Sequence, residues 1–79
     1  ILVISQFTLH GNVKKGYRPS FNHAATPAKA KSLYEKFIET LQKSFGGVLQ
    51  TGKFGAHMNI ALQEDGPVTI WLDSKNKSY

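Results

Sequence analysis

Between Thr26-Pro27 and Gly46-Gly47 runs a segment whose apolar residues, Ala30, Leu33, Tyr34, Phe37, Ile38, Leu41 and Phe45, recur at steps of three and four. Lys29, Lys31, Glu35, Lys36, Glu39 and Lys43 take the other side, so one side is apolar and the other charged. Threonine followed by proline is a helix start, because proline at the first helical position lacks only an N–H that would have no partner there anyway. Paired glycines are a helix stop. The spacing therefore predicts a helix over 27–45 that must lay its stripe of Leu33, Tyr34, Phe37, Ile38 and Leu41 on something else. Everything that can serve as that surface reads as β.

Residues 1–9, Ile-Leu-Val-Ile-Ser-Gln-Phe-Thr-Leu, open with a continuous β-branched and aliphatic run and predict a strand buried on both faces. Val48–Lys53 is a shorter strand, with Gly52 and Gly55 bracketing Phe54 in a turn or bulge. Met58, Ile60 and Leu62 alternate with His57, Asn59, Ala61 and Gln63, and Val68, Ile70 and Leu72 alternate with Thr69, Trp71 and Asp73. These period-two patterns predict two half-buried strands joined by the tight turn Glu64-Asp65-Gly66-Pro67. His10 to Thr26, with Gly11, Asn12, Gly16 and Pro19 and no sustained period, is a long loop, and 74–79 is a polar, frayed tail. The expected fold class is α+β, a mainly antiparallel sheet against one long helix.

With 79 residues and no cysteine, the chain makes at most one small domain and has no disulfide to support it. It opens inside an apolar run without an initiating methionine, which points to a truncated N-terminus. Its longest apolar run, Ile1–Ile4, is far short of the roughly 20 residues of a membrane span, so the composition reads as soluble and intracellular. Ten Lys and Arg against five Asp and Glu give a net charge of +5, which favours an anionic partner, most plausibly nucleic acid.

Three histidines, His10, His23 and His57, are spread along the chain without a thiolate, so no metal site is expected. A Ser-His-Asp set can be assembled from Ser5, a histidine and Asp73 only on paper, since triads are defined by geometry. Glu64 and Asp65 are adjacent in a turn and read as two solvated carboxylates. The loop Gly11–Phe21 concentrates Lys14, Lys15 and Arg18 among glycines and two aromatics. Such a loop holds a phosphate backbone and stacks a base, or it is a solvated basic loop whose Tyr17 and Phe21 pack on the sheet. Composition weighs the two equally. Ser5-Gln6-Phe7-Thr8 interrupts a core-like strand with polar side chains that need partners if buried. They cap a strand end or face a polar ligand.

Ser5-Gln6-Phe7-Thr8 followed by Asp65-Gly66-Pro67-Val68-Thr69 resembles the D-aminoacyl-tRNA deacylases, whose signatures are Ser-Gln-x-Thr and Asn-x-Gly-Pro-x-Thr. Arg18-Pro19-Ser20-Phe21 and Thr51-Gly52-Lys53-Phe54-Gly55 also match family segments in order. The likeness covers essentially the whole chain, residues 1–79, as the C-terminal part of a single deacylase domain. It departs at Glu64, where the family motif has asparagine and a carboxylate replaces an amide.

The resemblance implies a cytoplasmic homodimeric hydrolase without cofactor or metal. It would cleave the ester joining a D-amino acid, or glycine, to the acceptor end of tRNA. Ser5, Gln6, Phe7 and Thr8 would form the catalytic segment, with main-chain N–H groups near Phe7 and Thr8 polarising the ester carbonyl and a tRNA hydroxyl assisting. Gly66, Pro67 and Thr69 would form the chirality filter. A cis Gly66-Pro67 bond would project its carbonyls into the partner subunit's site and exclude L side chains. Lys14, Lys15 and Arg18 would attract tRNA. The competing reading is a non-catalytic basic RNA-binding module or an inactive fragment of the enzyme.

Overall fold

The structure, a computed structural model, describes residues 1–77. Its elements in chain order are strand β1 (Leu2–Val3), a single 3-10 turn at Thr8–His10, helix α1 (Pro27–Ser44) and strand β2 (Gln50–Thr51). Pro27 occupies the start of α1 as expected, but the Thr26 side chain makes no capping bond; its carbonyl instead accepts from the Ala30 N–H at 2.8 Å. The helix ends one residue before the glycines become available. Phe45 is the C-cap in extended conformation (φ −113°, ψ 116°) and its N–H donates to the Leu41 carbonyl.

β1 and β2 pair in parallel, Leu2 opposite Gln50 and Val3 opposite Thr51, through Gln50 N–H to Ile1 O and Gly52 N–H to Val3 O, both 2.9 Å. A parallel pair requires a crossover, and α1 lies within it. This corrects the expected antiparallel sheet. Antiparallel contact among the described residues is limited to two isolated bridges, Asn12 with Ser20 and Asp73 with Asn76.

The segments 57–63 and 68–73 have the side-chain alternation of strands but not their pairing. Among the described residues, 57–72 make no backbone hydrogen bond. Alternation records which side of a segment is apolar, whereas a strand exists only when its N–H and C=O groups meet a neighbour's. Between these segments Gly66 sits at φ +145°, the Gly66–Pro67 peptide bond is cis, and Pro67 has no N–H to offer a ladder.

The strand expected over 1–9 likewise stops at Val3. His10 N–H bonds back to Phe7 O at 3.1 Å and Gly11 N–H to Thr8 O at 2.9 Å, curling the chain just after the Ser-Gln pair. Residues 53–56 form the expected turn, closed by Ala56 N–H to Lys53 O at 3.2 Å with Gly55 at φ +73°. In the tail, where fraying is the expectation, Asp73 Oδ1 accepts the Lys75 N–H at 2.9 Å in a turn; residues 78 and 79 lie outside the described residues.

The helix stripe divides. Tyr34, Ile38 and Leu41 are half-buried, while Leu33 and Phe37 are more than half exposed. Tyr34 fixes the packed half: its hydroxyl donates to Val3 O at 3.2 Å and its ring lies 5.6 Å from that of Phe54. One side chain thus ties α1 to β1 and to the turn after β2. No side chain among the described residues is fully buried.

Candidate functional site

The curl after β1 turns Ser5, Gln6 and Phe7 toward the first turns of α1, and an open cleft of about 690 Å³ lies between them. Phe7 and Phe21 pack edge to face at 4.9 Å on one side; Tyr34 and Phe54 stand together on another, with Met58 and Ala56 beside them. Gly52 permits this wall to close up, since a Cβ there would meet Met58 Sδ at 2.7 Å. The lining is therefore mostly aromatic and aliphatic, with Ser5, Gln6 and His10 as its polar side chains.

Two main-chain donors follow the Ser-Gln pair in the chain. The N–H groups of Phe7 and Thr8 have no acceptor among the described residues, because both precede the first bond of the 3-10 turn. Two adjacent amides without a protein acceptor are available to hydrogen-bond a ligand oxygen. Thr8 itself does not line the cleft; it begins the 3-10 turn just beyond it.

Gly66, Pro67 and Thr69 lie on the unpaired segment and line neither this cleft nor a second recess of about 660 Å³. That second recess lies between Leu9, His10 and Ile70 to Ser74, so His10 borders both hollows. Lys14, Lys15 and Arg18 belong to a separate exposed loop. Glu64 and Asp65 are exposed and form no ion pair among the described residues, where the one ion pair is Lys43 with Glu39 at 3.2 Å on the surface of α1. No three His, Asp or Glu side chains among the described residues converge as metal ligands, and no described helix is long and apolar enough to cross a membrane.

The sequence reading missed most of the wall. Tyr34 looked like a stripe residue, although a tyrosine in an apolar stripe carries a hydroxyl that needs a partner, and that was the available signal. Phe54 sat in a segment matched by order but given no role, Phe21 was read only as a loop aromatic, and Met58 only as one face of a half-buried strand. Their convergence depends on the crossover through α1, which local pattern does not encode.

These features define a mixed α and β chain with an aromatic-walled cleft whose polar edge is a Ser-Gln pair and a run of free main-chain amides. Residues 1–73 match the family model described as D-Tyr-tRNA(Tyr) deacylase, and the chain belongs to that family. It is 56% identical over 77 residues to a D-aminoacyl-tRNA deacylase of Flavobacterium johnsoniae, covering 98% of this chain and 51% of that protein. A Sulfurihydrogenibium protein of the same name is 60% identical over 74 residues (94% and 49% covered), and one from Thermosipho melanesiensis 52% over 75 (95% and 50%). The chain thus spans about half the length of the curated relatives it matches.

Proposed function

We propose that this chain is the C-terminal part of a cytoplasmic D-aminoacyl-tRNA deacylase, and that the cleft beside Ser5-Gln6-Phe7 takes the aminoacyl ester at the acceptor end of tRNA. The observation that carries the reading is the pair of free amides at Phe7 and Thr8, set at the edge of an apolar cleft next to a Ser-Gln pair. Water adds to the ester carbonyl, negative charge develops on its oxygen, and the free N–H groups of Phe7 and Thr8 stabilise it. The bond to the ribose oxygen then breaks, and that oxygen takes a proton. The products are free tRNA and the D-amino acid, or glycine. Gln6 and Thr8 position the substrate; the Thr8 hydroxyl makes no hydrogen bond to a base among the described residues, and Thr8 is not assigned as the nucleophile.

Gly66, Pro67 and Thr69 act as the filter against L-aminoacyl esters, in the site of a second subunit. Their position away from their own chain's cleft supports that assignment. Discrimination then works by excluding one enantiomer. The test is hydrolysis of D- and L-aminoacyl-tRNA by the full-length protein at one salt concentration. Preference for D is expected; equal rates, or none with either substrate, would overturn the reading.

A further inference from the structure

We propose that the loop 12–20 is a clamp for single-stranded nucleic acid, in which Tyr17 stacks on a base while Lys14, Lys15 and Arg18 neutralise the neighbouring phosphates. The loop is a closed structure and not slack chain. Asn12 and Ser20 exchange both backbone hydrogen bonds at 2.7 Å, and the Lys14 N–H is held by Asn12 Oδ1 at 2.8 Å. Gly16, at φ +74° with nothing within 4 Å of where a Cβ would lie, turns the chain at the tip and presents Tyr17. That ring is 107% exposed, so both faces are open, whereas Phe21 is packed on Phe7 at the cleft. The two aromatics of the loop have separate tasks.

Charge distribution points the same way. Residues 1–34 contain five Lys and Arg and no acid, so the whole net charge of +5 lies there; from Glu35 onward five bases balance five acids. Lys14, Lys15 and Arg18 make no ion pair among the described residues. A free aromatic face amid unpaired cations is the chemistry that takes an unstacked base and its backbone without regard to sequence. Insertion into a lipid surface needs a cluster of large apolar side chains, and in the loop Tyr17 has only Val13 for company. The deacylase reading identifies the strand as the single-stranded 3′ end of tRNA, because Phe21, just after the loop, lines the cleft; the clamp itself rests on the loop alone.

The experiment measures binding of a labelled oligoadenylate of about eight nucleotides to the full-length protein. Tyr17→Ala is expected to weaken it about tenfold and Tyr17→Phe to leave it unchanged, with little effect of either on a blunt duplex of equal length, which offers no free base face. Lys14→Ala should reduce the slope of log affinity against log salt by roughly 0.7, one phosphate contact. Because the Tyr17 ring is fully exposed, its removal leaves the circular dichroism spectrum unchanged. Unaltered affinity of Tyr17→Ala, or displacement of the oligonucleotide by an acidic peptide at equal charge concentration, would overturn the clamp. A protein that binds the oligonucleotide through Tyr17 yet spares D-aminoacyl esters would retain the clamp and sink the deacylase reading.

Discussion

At Gly66 the φ of +145° excludes side-chain-bearing residues from a relaxed fit, and a Cβ there would lie 3.2 Å from Val68 N and 3.4 Å from Val68 Cγ2. The backbone neighbour cannot rotate away as a flexible side chain can. Gly66→Ala must therefore shift the turn that carries Pro67 and Thr69. If that turn is the filter, the ratio of D to L hydrolysis in the full-length protein falls by on the order of tenfold, equivalent to about 1.4 kcal/mol of lost discrimination. Lys14→Ala serves as the comparison, since phosphate attraction weakens both substrates alike and leaves the ratio where it was. An unchanged ratio in active Gly66→Ala would reduce the Gly-Pro segment to a plain turn. Tyr34→Phe tests a different kind of residue: the ring contact with Phe54 survives, but the bond to the half-buried Val3 carbonyl is lost. A stability loss of about 0.5–1.5 kcal/mol in urea denaturation is expected.

Among the elements, α1 was legible in the sequence because its information is local. The apolar period, Pro27 and the charged opposite face all sit within one segment, and the structure keeps all but its last residue in helix. The cap was less legible: Thr26 has the right side chain, but whether it bonds depends on its rotamer and on what faces it. Since no capping bond is made, Thr26→Ala should cost less than about 0.5 kcal/mol, against roughly 1 kcal/mol for a working N-cap. A loss near the larger value, measured by thermal denaturation, would mean that the hydroxyl caps the helix in solution. Strand pairing was not legible, because period two describes faces while partner and direction depend on residues far apart in the chain. Leu2 with Gln50 is such a pair, and only the crossover through α1 decides that it is parallel. The Ser5–Phe7 edge of the cleft was found through its motif; the Tyr34, Phe54 and Met58 wall, assembled by packing, was not.

For the molecule as a whole, the radius of gyration is 14.8 Å, against about 11.6 Å for a compact chain of this length. The accessible surface of 7663 Å² compares with roughly 4,800 Å² for a folded monomer of this mass. Large apolar side chains contribute to it: Leu33 and Phe37 on α1 and Ile60, Leu62, Val68, Ile70, Trp71 and Leu72 on the unpaired segment are all exposed. Packing that leaves no side chain fully buried among the described residues cannot offset the conformational entropy of ordering them. The 79 residues taken alone should accordingly show a broad thermal transition and bind an apolar dye, and their single tryptophan, Trp71, 65% exposed, should be quenched by acrylamide almost as readily as free tryptophan. A protein of the relatives' length would have further chain available to cover the same faces. There the transition should sharpen, dye binding should vanish, and Trp71 should become protected. The comparison needs both proteins at equal concentration, with the transition repeated at a second concentration to separate folding from self-association. A sharp, concentration-independent transition for the 79 residues alone, with Trp71 already shielded, would show that these faces close on one another and need no further surface.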